Sequence, residues 1–153
     1  MKEAGPSSQV KVKVAKVLST LLADYFVVYV KTLNFHWNVR DNRFQMLHEL
    51  FQKQYEDLAE AIDLIAEQVR ILGHMPPASM QQFLKMASLK EIEADLDGDA
   101  MIEQLVADHR HLSNACHMGI QLSQKGGDEG TADLLIERLR VHDKTVWMLK
   151  SHL

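Results

Sequence analysis

The chain contains 153 residues, 46% of them hydrophobic and 25% charged, with a formal net charge of −4. This length supports one sizeable core but not two typical domains, and the charge excludes the overall cationic field of a nucleic-acid or anionic-membrane binder. The single cysteine, Cys116, excludes an internal disulfide framework and suits a reducing compartment. Because no apolar run has the length of a membrane span or the form of a signal peptide, we expect a cytoplasmic protein without membrane contacts.

Breaker residues divide the chain into long segments. Neither glycine nor proline occurs between Pro6 and Gly73, and so long a stretch without a breaker favours helix. Its weakest part is residues 38–42, where poor helix formers have good capping side chains, and Asn42 followed by Gln45 fits a helix N-cap with its partner. The sequence therefore predicts two long helices joined by a tight turn.

Both predicted helices carry an apolar stripe with alternating steps of three and four residues, which is typical of a face that packs into a helical bundle. The stripe of the first helix consists of Val14, Leu18, Leu21, Tyr25, Val28, Thr32 and Phe35. The stripe of the second helix consists of Phe44, Leu47, Phe51, Tyr55, Leu58, Ile62, Ile65, Val69 and Leu72.

The second half of the chain shows two more helical patterns. A third helix is predicted at about residues 100–123, capped by Asp97 or Asp99, and a fourth at about residues 131–152. A long connection with a short amphipathic helix at residues 80–86 separates the second helix from the third.

This order of elements predicts an all-α fold. We expect a ferritin-like four-helix bundle with a long crossover between helices 2 and 3 that carries a short extra helix. We place the bundle domain at residues 9–153 and a short N-terminal arm at residues 1–8. A fold of this kind does not by itself define a function.

Side chains that the core does not explain are the candidates for function. Asp63 and Glu67 lie one helical turn apart and, at about 100° per residue, face away from the apolar stripe of the second helix. Leu64 and Ile71 share this outward surface, with Leu50 nearby, although a monomeric bundle should be polar there. The combination predicts that this surface contacts another subunit.

Two histidines lie near one end of the predicted helical hairpin. His36 is near the end of the first helix, and His48 flanks the second stripe one turn after its start. Two imidazoles and a carboxylate pair suit a divalent first-row metal such as ferrous iron. The alternatives are a solvated acidic surface and histidines that cap or pack helix ends. The remaining histidines form no comparable group: His74, His109, His111, His117, His142 and His152.

The chain contains a set of short motifs at defined spacings, in the first helical hairpin and near the C-terminus. They are Lys31–Thr32, residues 36–40 (His-Trp-Asn-Val-Arg), Phe44, Leu47–His48, Phe51, Tyr55, Asp63 and Glu67, and near the C-terminus Gly127–Asp128, residues 131–135, residues 142–144 and residues 147–149. This combination closely resembles the signature of the Dps family of miniferritins. With the bundle pattern, the resemblance covers nearly the whole chain.

The resemblance implies a function and an assembly. The chain would form a hollow homo-oligomer, a dodecamer, in the bacterial cytoplasm or nucleoid. The shell would oxidise ferrous iron with hydrogen peroxide as the usual oxidant, store the ferric mineral and so protect DNA from oxidative damage.

The resemblance also implies roles for individual residues. Ferroxidase centres would lie between two-fold related subunits, where His36 and His48 of one chain meet Asp63 and Glu67 of its mate. Glu67 would bridge two iron positions. Trp37 resembles a tryptophan placed to donate an electron, and packing is the alternative role for its indole.

Asp128 and Asp133 resemble the acidic residues of the family's three-fold pores, where a negative field raises the local ferrous concentration. Capping and dipole pairing at the start of the last helix are an alternative role, compatible with the first.

Two positions depart from the family pattern. Asp41 stands where glycine is usual, which alters the turn without touching the ligands. Gln52 stands where an aspartate ligand is common. We therefore expect the second iron position, built from His48, Glu67 and Gln52, to bind iron more weakly than the first.

Three other functions compete with this one. A di-iron oxidase with its site inside one bundle would use Glu-x-x-His pairs, and no histidine here has a glutamate three residues before it. A nucleoid protein whose iron oxidation is secondary and a structural shell that binds zinc stay as alternatives.

The basic residues of the N-terminal region are few. Lys2 lies beside Glu3, and Lys11, Lys13 and Lys16 add only a modest cluster. Because affinity for DNA grows with the number of phosphates neutralised, we expect direct DNA binding to be weak or absent.

Overall fold

The computed structural model describes residues 4–153, and this part of the chain is helical with no strand. Five helices follow in order: α1 (Ser8–Asn38), α2 (Phe44–Ile71), α3 (Met80–Met86), α4 (Gly98–Lys125) and α5 (Glu129–Lys150). None of them has the length and hydrophobicity that a bilayer span requires. Of the predicted N-terminal arm, residues 4–7 precede α1, and residues 1–3 lie outside the described residues.

The four long helices form two hairpins. α1 packs along α2, α4 packs along α5, and the two hairpins meet through α1 and α4. The crossover at residues 72–97 joins α2 to α4, and α3 within it lies against α1. The predicted four-helix bundle with a long crossover and a short extra helix is confirmed.

The predicted apolar stripes supply much of the core. Every position of the first stripe is buried. In the second stripe, the buried residues are Leu47, Phe51, Leu58, Ile65, Val69 and Leu72, whereas Tyr55 and Ile62 are half-buried. Phe44 is 46% exposed, because it is the first residue of α2 and stacks on His48 rather than on the core.

The turn between α1 and α2 differs from the prediction at its cap. Arg43, not Asn42, is the N-cap of α2, and it makes no side-chain cap hydrogen bond. The Asp41 carboxylate accepts hydrogen bonds from the guanidinium and the backbone N–H of Arg43, which lowers the pKa of Asp41 to about 2. The prediction of an Asn42 cap is wrong, because the charged Asp41 side chain holds both the N–H and the guanidinium of Arg43, and α2 begins after Arg43.

The start of α4 is adapted to the same aspartate. A Cβ atom on Gly98 would collide with the side chain of Asp41. Asp97 caps α4, because its side chain accepts a hydrogen bond from the backbone N–H of Ala100 at 2.8 Å. Of the two predicted caps, Asp97 and Asp99, the structure selects Asp97.

A buried polar network ties the four long helices together. Tyr25 on α1 hydrogen-bonds His142 Nε2 on α5, and His142 Nδ1 lies 2.9 Å from His109 Nδ1 on α4. Arg138 donates to the Tyr25 hydroxyl at 3.1 Å and forms two hydrogen bonds, 3.1 and 2.7 Å long, with Asp57 on α2. The sequence did not predict this contact between His109 and His142, because their partners come from helices distant in sequence.

Both histidines of the network are neutral. Burial, together with the Arg138 charge, lowers the pKa of His109 to about 4. Burial and the neighbouring His109 and Arg138 also hold the pKa of His142 well below its usual range. The core therefore contains two imidazoles that resist protonation in the folded state.

We predict that acid destabilises the fold through His109. Above about pH 6.5 the residue is neutral in both states, but below that value the unfolded chain takes up a proton that the folded chain refuses until about pH 4. The free energy of unfolding should therefore fall by about 3 kcal/mol over this window on account of His109.

Denaturant unfolding at several pH values and one protein concentration measures this effect. A His109→Gln variant should lose stability less steeply with acid, whereas His117→Gln, at an exposed position of the same helix, should behave as the unmodified chain. Equal slopes for all three proteins would contradict the assignment.

Candidate metal centre

Two of the predicted site residues lie face to face at one end of the α1–α2 hairpin. The imidazole rings of His36 and His48 stack with their centroids 3.7 Å apart and their planes 14° from parallel. His36 is buried and His48 is half-buried. The structure thus brings the predicted histidine ligands together.

Each imidazole is held by the backbone of the other histidine. Nδ1 of His36 donates to the carbonyl oxygen of His48, and Nδ1 of His48 donates to the carbonyl oxygen of His36, both at 2.7 Å. Because a carbonyl oxygen can only accept, each Nδ1 carries a proton, and a neutral imidazole then has a free lone pair on Nε2. Metal-binding histidines are commonly oriented in this way.

The same pair completes the end of α1. His36 lies in the last turn of this helix. Carbonyl groups there have no N–H donor within the helix. The ring Nδ1–H of His48 supplies the missing donor to the carbonyl oxygen of His36. The orientation of one ligand therefore follows from the way the first helix ends.

Aromatic rings and a glutamine surround the two histidines. Tyr55 packs edge-on against His36, and Phe44 stacks on His48, each with ring centroids 5.1 Å apart. Gln52, one turn after His48, donates from its amide nitrogen to Glu56 at 2.8 Å. This bond leaves the carbonyl oxygen of Gln52 as the side-chain atom that could reach a metal.

Trp37 follows the candidate ligand His36 in the sequence, and its side chain lies on the surface. It is 67% exposed and lines a cavity of about 490 Å³ together with Arg40 and Asp95. Packing within the subunit therefore does not account for the indole.

The predicted carboxylates form the other half of the candidate centre. Asp63 and Glu67 are both exposed on α2. The hydrogen bond and the negative charge of Asp63 raise the pKa of Glu67. The two side chains therefore interact closely and form an acidic pair that a cation would stabilise.

One chain does not join the two halves. At about 1.5 Å per residue, Asp63 lies roughly 22 Å along α2 from His48. Within residues 4–153, no group of three or more histidine, cysteine or acidic side chains is placed to hold a metal ion.

Exposed apolar side chains accompany the acidic pair. Leu64 is 49% exposed and Ile71 is 72% exposed, whereas Leu50 is half-buried. Large aliphatic residues on the same surface as Asp63 and Glu67 fit a face that another protein surface covers.

The two predicted pore residues have different environments. Asp128 is buried and caps α5 by accepting the backbone N–H of Thr131 at 3.1 Å, while its Oδ2 atom is buried without a partner. Asp133 is exposed on α5. Capping thus applies to Asp128, and the pore role of both residues stays a prediction.

The fold and the family comparison agree on the class of protein. A family model for the ferritin-like domain matches residues 15–153. The structure of antigen TpF1 from Treponema pallidum is similar with a TM-score of 0.95 at 28% identity, covering 100% of this chain and 99% of that one. The chain has a ferritin-like domain.

Other relatives identify one family within the ferritin-like class. DNA protection during starvation protein 2 of Bacillus anthracis is 33% identical over 141 residues, which are 92% of this chain and 97% of that protein. The structure of a Dps protein from Vibrio cholerae is similar with a TM-score of 0.93 at 33% identity, covering 99% and 98% of the two chains. The chain belongs to the Dps family.

The capping role of Asp128 can be separated from any role in a pore. Asp128→Ala should lower the free energy of unfolding by about 1 kcal/mol, because the N–H of Thr131 loses its acceptor. Asp133→Ala should leave stability nearly unchanged, because this side chain is exposed. Thermal and denaturant unfolding of both variants check the difference, and equal losses would contradict the capping assignment.

Proposed function

We propose that the chain is a miniferritin that oxidises ferrous iron at centres shared between subunits and stores the ferric product inside a dodecameric shell. The observation that carries the proposal is the division of one ligand set into two halves. His36 and His48 present free Nε2 atoms at one end of α2, and Asp63 and Glu67 form an acidic pair farther along it.

The histidines and the acids are too far apart in one chain to bind the same ion, and a two-fold related copy would bring them together. In an isologous contact the same surface serves both chains, so the histidines of each chain would meet the acids of the other. The exposed Leu64 and Ile71 supply apolar area for such a contact. Two equivalent centres would then form at each two-fold interface.

Iron is the substrate that suits this donor set. Imidazole nitrogen and carboxylate oxygen together bind divalent iron well, and the Vibrio cholerae relative is described as a ferritin-like diiron-carboxylate protein. In the proposed centre His36 and Asp63 bind the first ferrous ion, and Glu67 bridges to the second. Hydrogen peroxide would take one electron from each ferrous ion and two protons from solvent, giving two ferric ions and two water molecules, and Trp37 could donate an electron when only one ion is bound.

The second iron position is the weaker one in this proposal. It consists of His48, the bridging Glu67 and the neutral carbonyl oxygen of Gln52. A neutral amide attracts ferrous iron less than a carboxylate does, and the Gln52 side chain is already tied to Glu56.

Protection of DNA would follow mainly from the removal of ferrous iron and peroxide in the bacterial cytoplasm or nucleoid. The Bacillus anthracis relative is named for DNA protection. On the described residues, the basic cluster of Lys11, Lys13 and Lys16 is modest, and Lys2 and Glu3 lie outside them. Direct DNA binding is therefore proposed to be weak. Asp128 and Asp133 are proposed to guide ferrous iron into the shell, because their negative charge attracts cations.

Mixed shells test the shared centre. One chain carries His36→Ala and His48→Ala, and the other carries Asp63→Ala and Glu67→Ala. Neither should oxidise iron alone, but an equal, random mixture should recover about a quarter of the activity of the unmodified protein, since half of the two-fold pairs are mixed and each has one intact centre. Anaerobic ferrous loading followed by peroxide, read as ferric absorbance, measures it.

A matched control uses the same four substitutions in one chain, mixed with unmodified chain. A shared centre again predicts about a quarter of the full activity, whereas a centre within one chain predicts about half. Tagged chains verify that the shells are mixed. No recovery in the first mixture, with half activity in the control, would exclude the shared centre.

Replacement of Gln52 tests the second iron position. Gln52→Asp should tighten binding of the second ferrous ion and speed peroxide-driven oxidation at low iron, because a charged oxygen replaces a neutral one. Anaerobic calorimetric titration with ferrous iron counts the ions and compares their affinities. Gln45→Asp, an exposed position of the same helix, makes the same change of charge and should have little effect. Two tight ions per centre in the unmodified protein, unaffected by Gln52→Asp, would refute the assignment.

A further inference from the structure

The three tyrosines of the chain follow one another from the candidate metal centre toward the core. Tyr55 on α2 packs edge-on against the proposed ligand His36, with ring centroids 5.1 Å apart, and Tyr29 on α1 packs edge-on against Tyr55 at 6.3 Å. Tyr25 lies four residues before Tyr29 on α1, and side chains at this spacing are neighbours on one face of a helix. We call these three residues the tyrosine series.

The burial of the rings increases along the tyrosine series. Tyr55 and Tyr29 are half-buried, whereas Tyr25 is 0% exposed. Trp37, which follows His36 in the sequence, is 67% exposed. Of these oxidisable rings, Tyr25 is therefore the one that water and solutes reach least easily.

The hydroxyl group of Tyr25 has a neighbour that can take its proton. Its oxygen accepts a hydrogen bond from Arg138, so its own hydrogen is directed to Nε2 of His142. The low pKa of His142 keeps this ring neutral, with a lone pair on Nε2 and a proton on Nδ1. That proton faces Nδ1 of His109 at 2.9 Å. The phenol is thus the first member of a chain of hydrogen bonds along which protons can move.

This arrangement couples loss of an electron from Tyr25 to loss of its proton. Burial raises the pKa of Tyr25, so the ring stays a neutral phenol in the folded chain. An oxidised phenol, however, is a far stronger acid than a neutral one. Removal of an electron would therefore drive the hydroxyl proton across the existing hydrogen bond to His142 and leave a neutral tyrosyl radical.

We propose that Tyr25 is an internal electron donor to the ferroxidase centre, reached through Tyr29 and Tyr55, with His142 as the acceptor of its proton. The inference rests on the proposed oxidation of iron by peroxide. It concerns centres that hold a single ferrous ion, where peroxide, a two-electron oxidant, lacks its second electron.

The proposed step balances in atoms and electrons. Hydrogen peroxide takes one electron from the ferrous ion, one from Tyr25 and two protons from solvent, giving a ferric ion and two water molecules. The O–H bond of Tyr25 breaks, and its proton forms a bond to Nε2 of His142. A ferrous ion that binds later returns the electron, and the proton returns to the phenol. The second electron avoids the one-electron reduction of peroxide to a hydroxyl radical.

Electron paramagnetic resonance tests the proposal. Assembled shells that carry Trp37→Phe, which removes the other proposed donor, are loaded anaerobically with less than one ferrous ion per centre. They are then mixed with peroxide and frozen at increasing times. We expect a tyrosyl radical whose hyperfine pattern changes when the protein is made with ring-deuterated tyrosine. Ferric absorbance of the same samples reports iron oxidation separately.

Three substitutions in this background locate the donor. Tyr25→Phe should lose the long-lived radical, because the proton transfer that stabilises it is lost. Tyr29→Phe, at a half-buried position, interrupts the tyrosine series without altering the bond between Tyr25 and His142, and it should lower the radical yield. Trp147→Phe removes an exposed oxidisable ring of α5 outside the series, so it should leave the radical unchanged.

Metal-free protein with both tryptophans separates this inference from the proposed function. Azide radicals made by pulse radiolysis oxidise tryptophan, and the oxidation should pass to Tyr25, seen as loss of tryptophanyl and rise of tyrosyl absorbance. Tyr25→Phe should lose the long-lived tyrosyl species here too. If iron is not oxidised, the proposed function fails, and this measurement decides the role of Tyr25. The inference is overturned by iron oxidation at low loading without a tyrosyl radical, or by an equal radical in Tyr25→Phe in either experiment.

Discussion

The exchange of hydrogen bonds between His36 and His48 links the end of the first helix to the start of the second. It satisfies a carbonyl group that the end of α1 leaves without a helical partner. It also forces both protons onto Nδ1, so that two Nε2 lone pairs remain free within a stacked pair of rings. The same two bonds thus meet a structural requirement of the hairpin and set the orientation that the proposed metal ligands would need, and neither imidazole can turn without breaking one of them.

The interior of the bundle explains why a metal centre would not form there. Three carboxylates between the helices already have strong partners: Asp24 accepts from Ser88 and Leu89, Asp57 from Arg138, and Asp108 from Lys31. The imidazoles of His109 and His142 hydrogen-bond each other. Carboxylates that remain available to a cation are at the surface, and Asp63 and Glu67 are a closely interacting pair among them.

The sequence predicted the helices well because their signals are local. The steps of three and four residues located the core of α1 and α2, and the connection between breakers located α3 at residues 80–86. The Asn42 cap failed because the side chain of Asp41 binds both the N–H and the guanidinium of Arg43, and α2 begins after Arg43. His36, His48, Asp63 and Glu67 could be chosen from motif and helical phase, but the tautomers depend on contacts across the turn. The Tyr25–His142–His109 network was missed because no short spacing connects its members.

The acidic pair and the exposed aliphatic side chains beside it are both unfavourable in an isolated chain. Asp63 and Glu67 lie one turn apart, and a hydrogen bond with Asp63, together with its negative charge, raises the pKa of Glu67, so the pair is costly to keep fully ionised. Leu64 and Ile71 expose apolar surface to water beside them. A cation relieves the first cost and a covering protein surface relieves the second. Where one contact brings both, metal binding and subunit association must strengthen each other by the same free energy, because the coupling between two binding events is reciprocal. In that case Asp63 and Glu67 would contribute to subunit assembly as well as to iron binding.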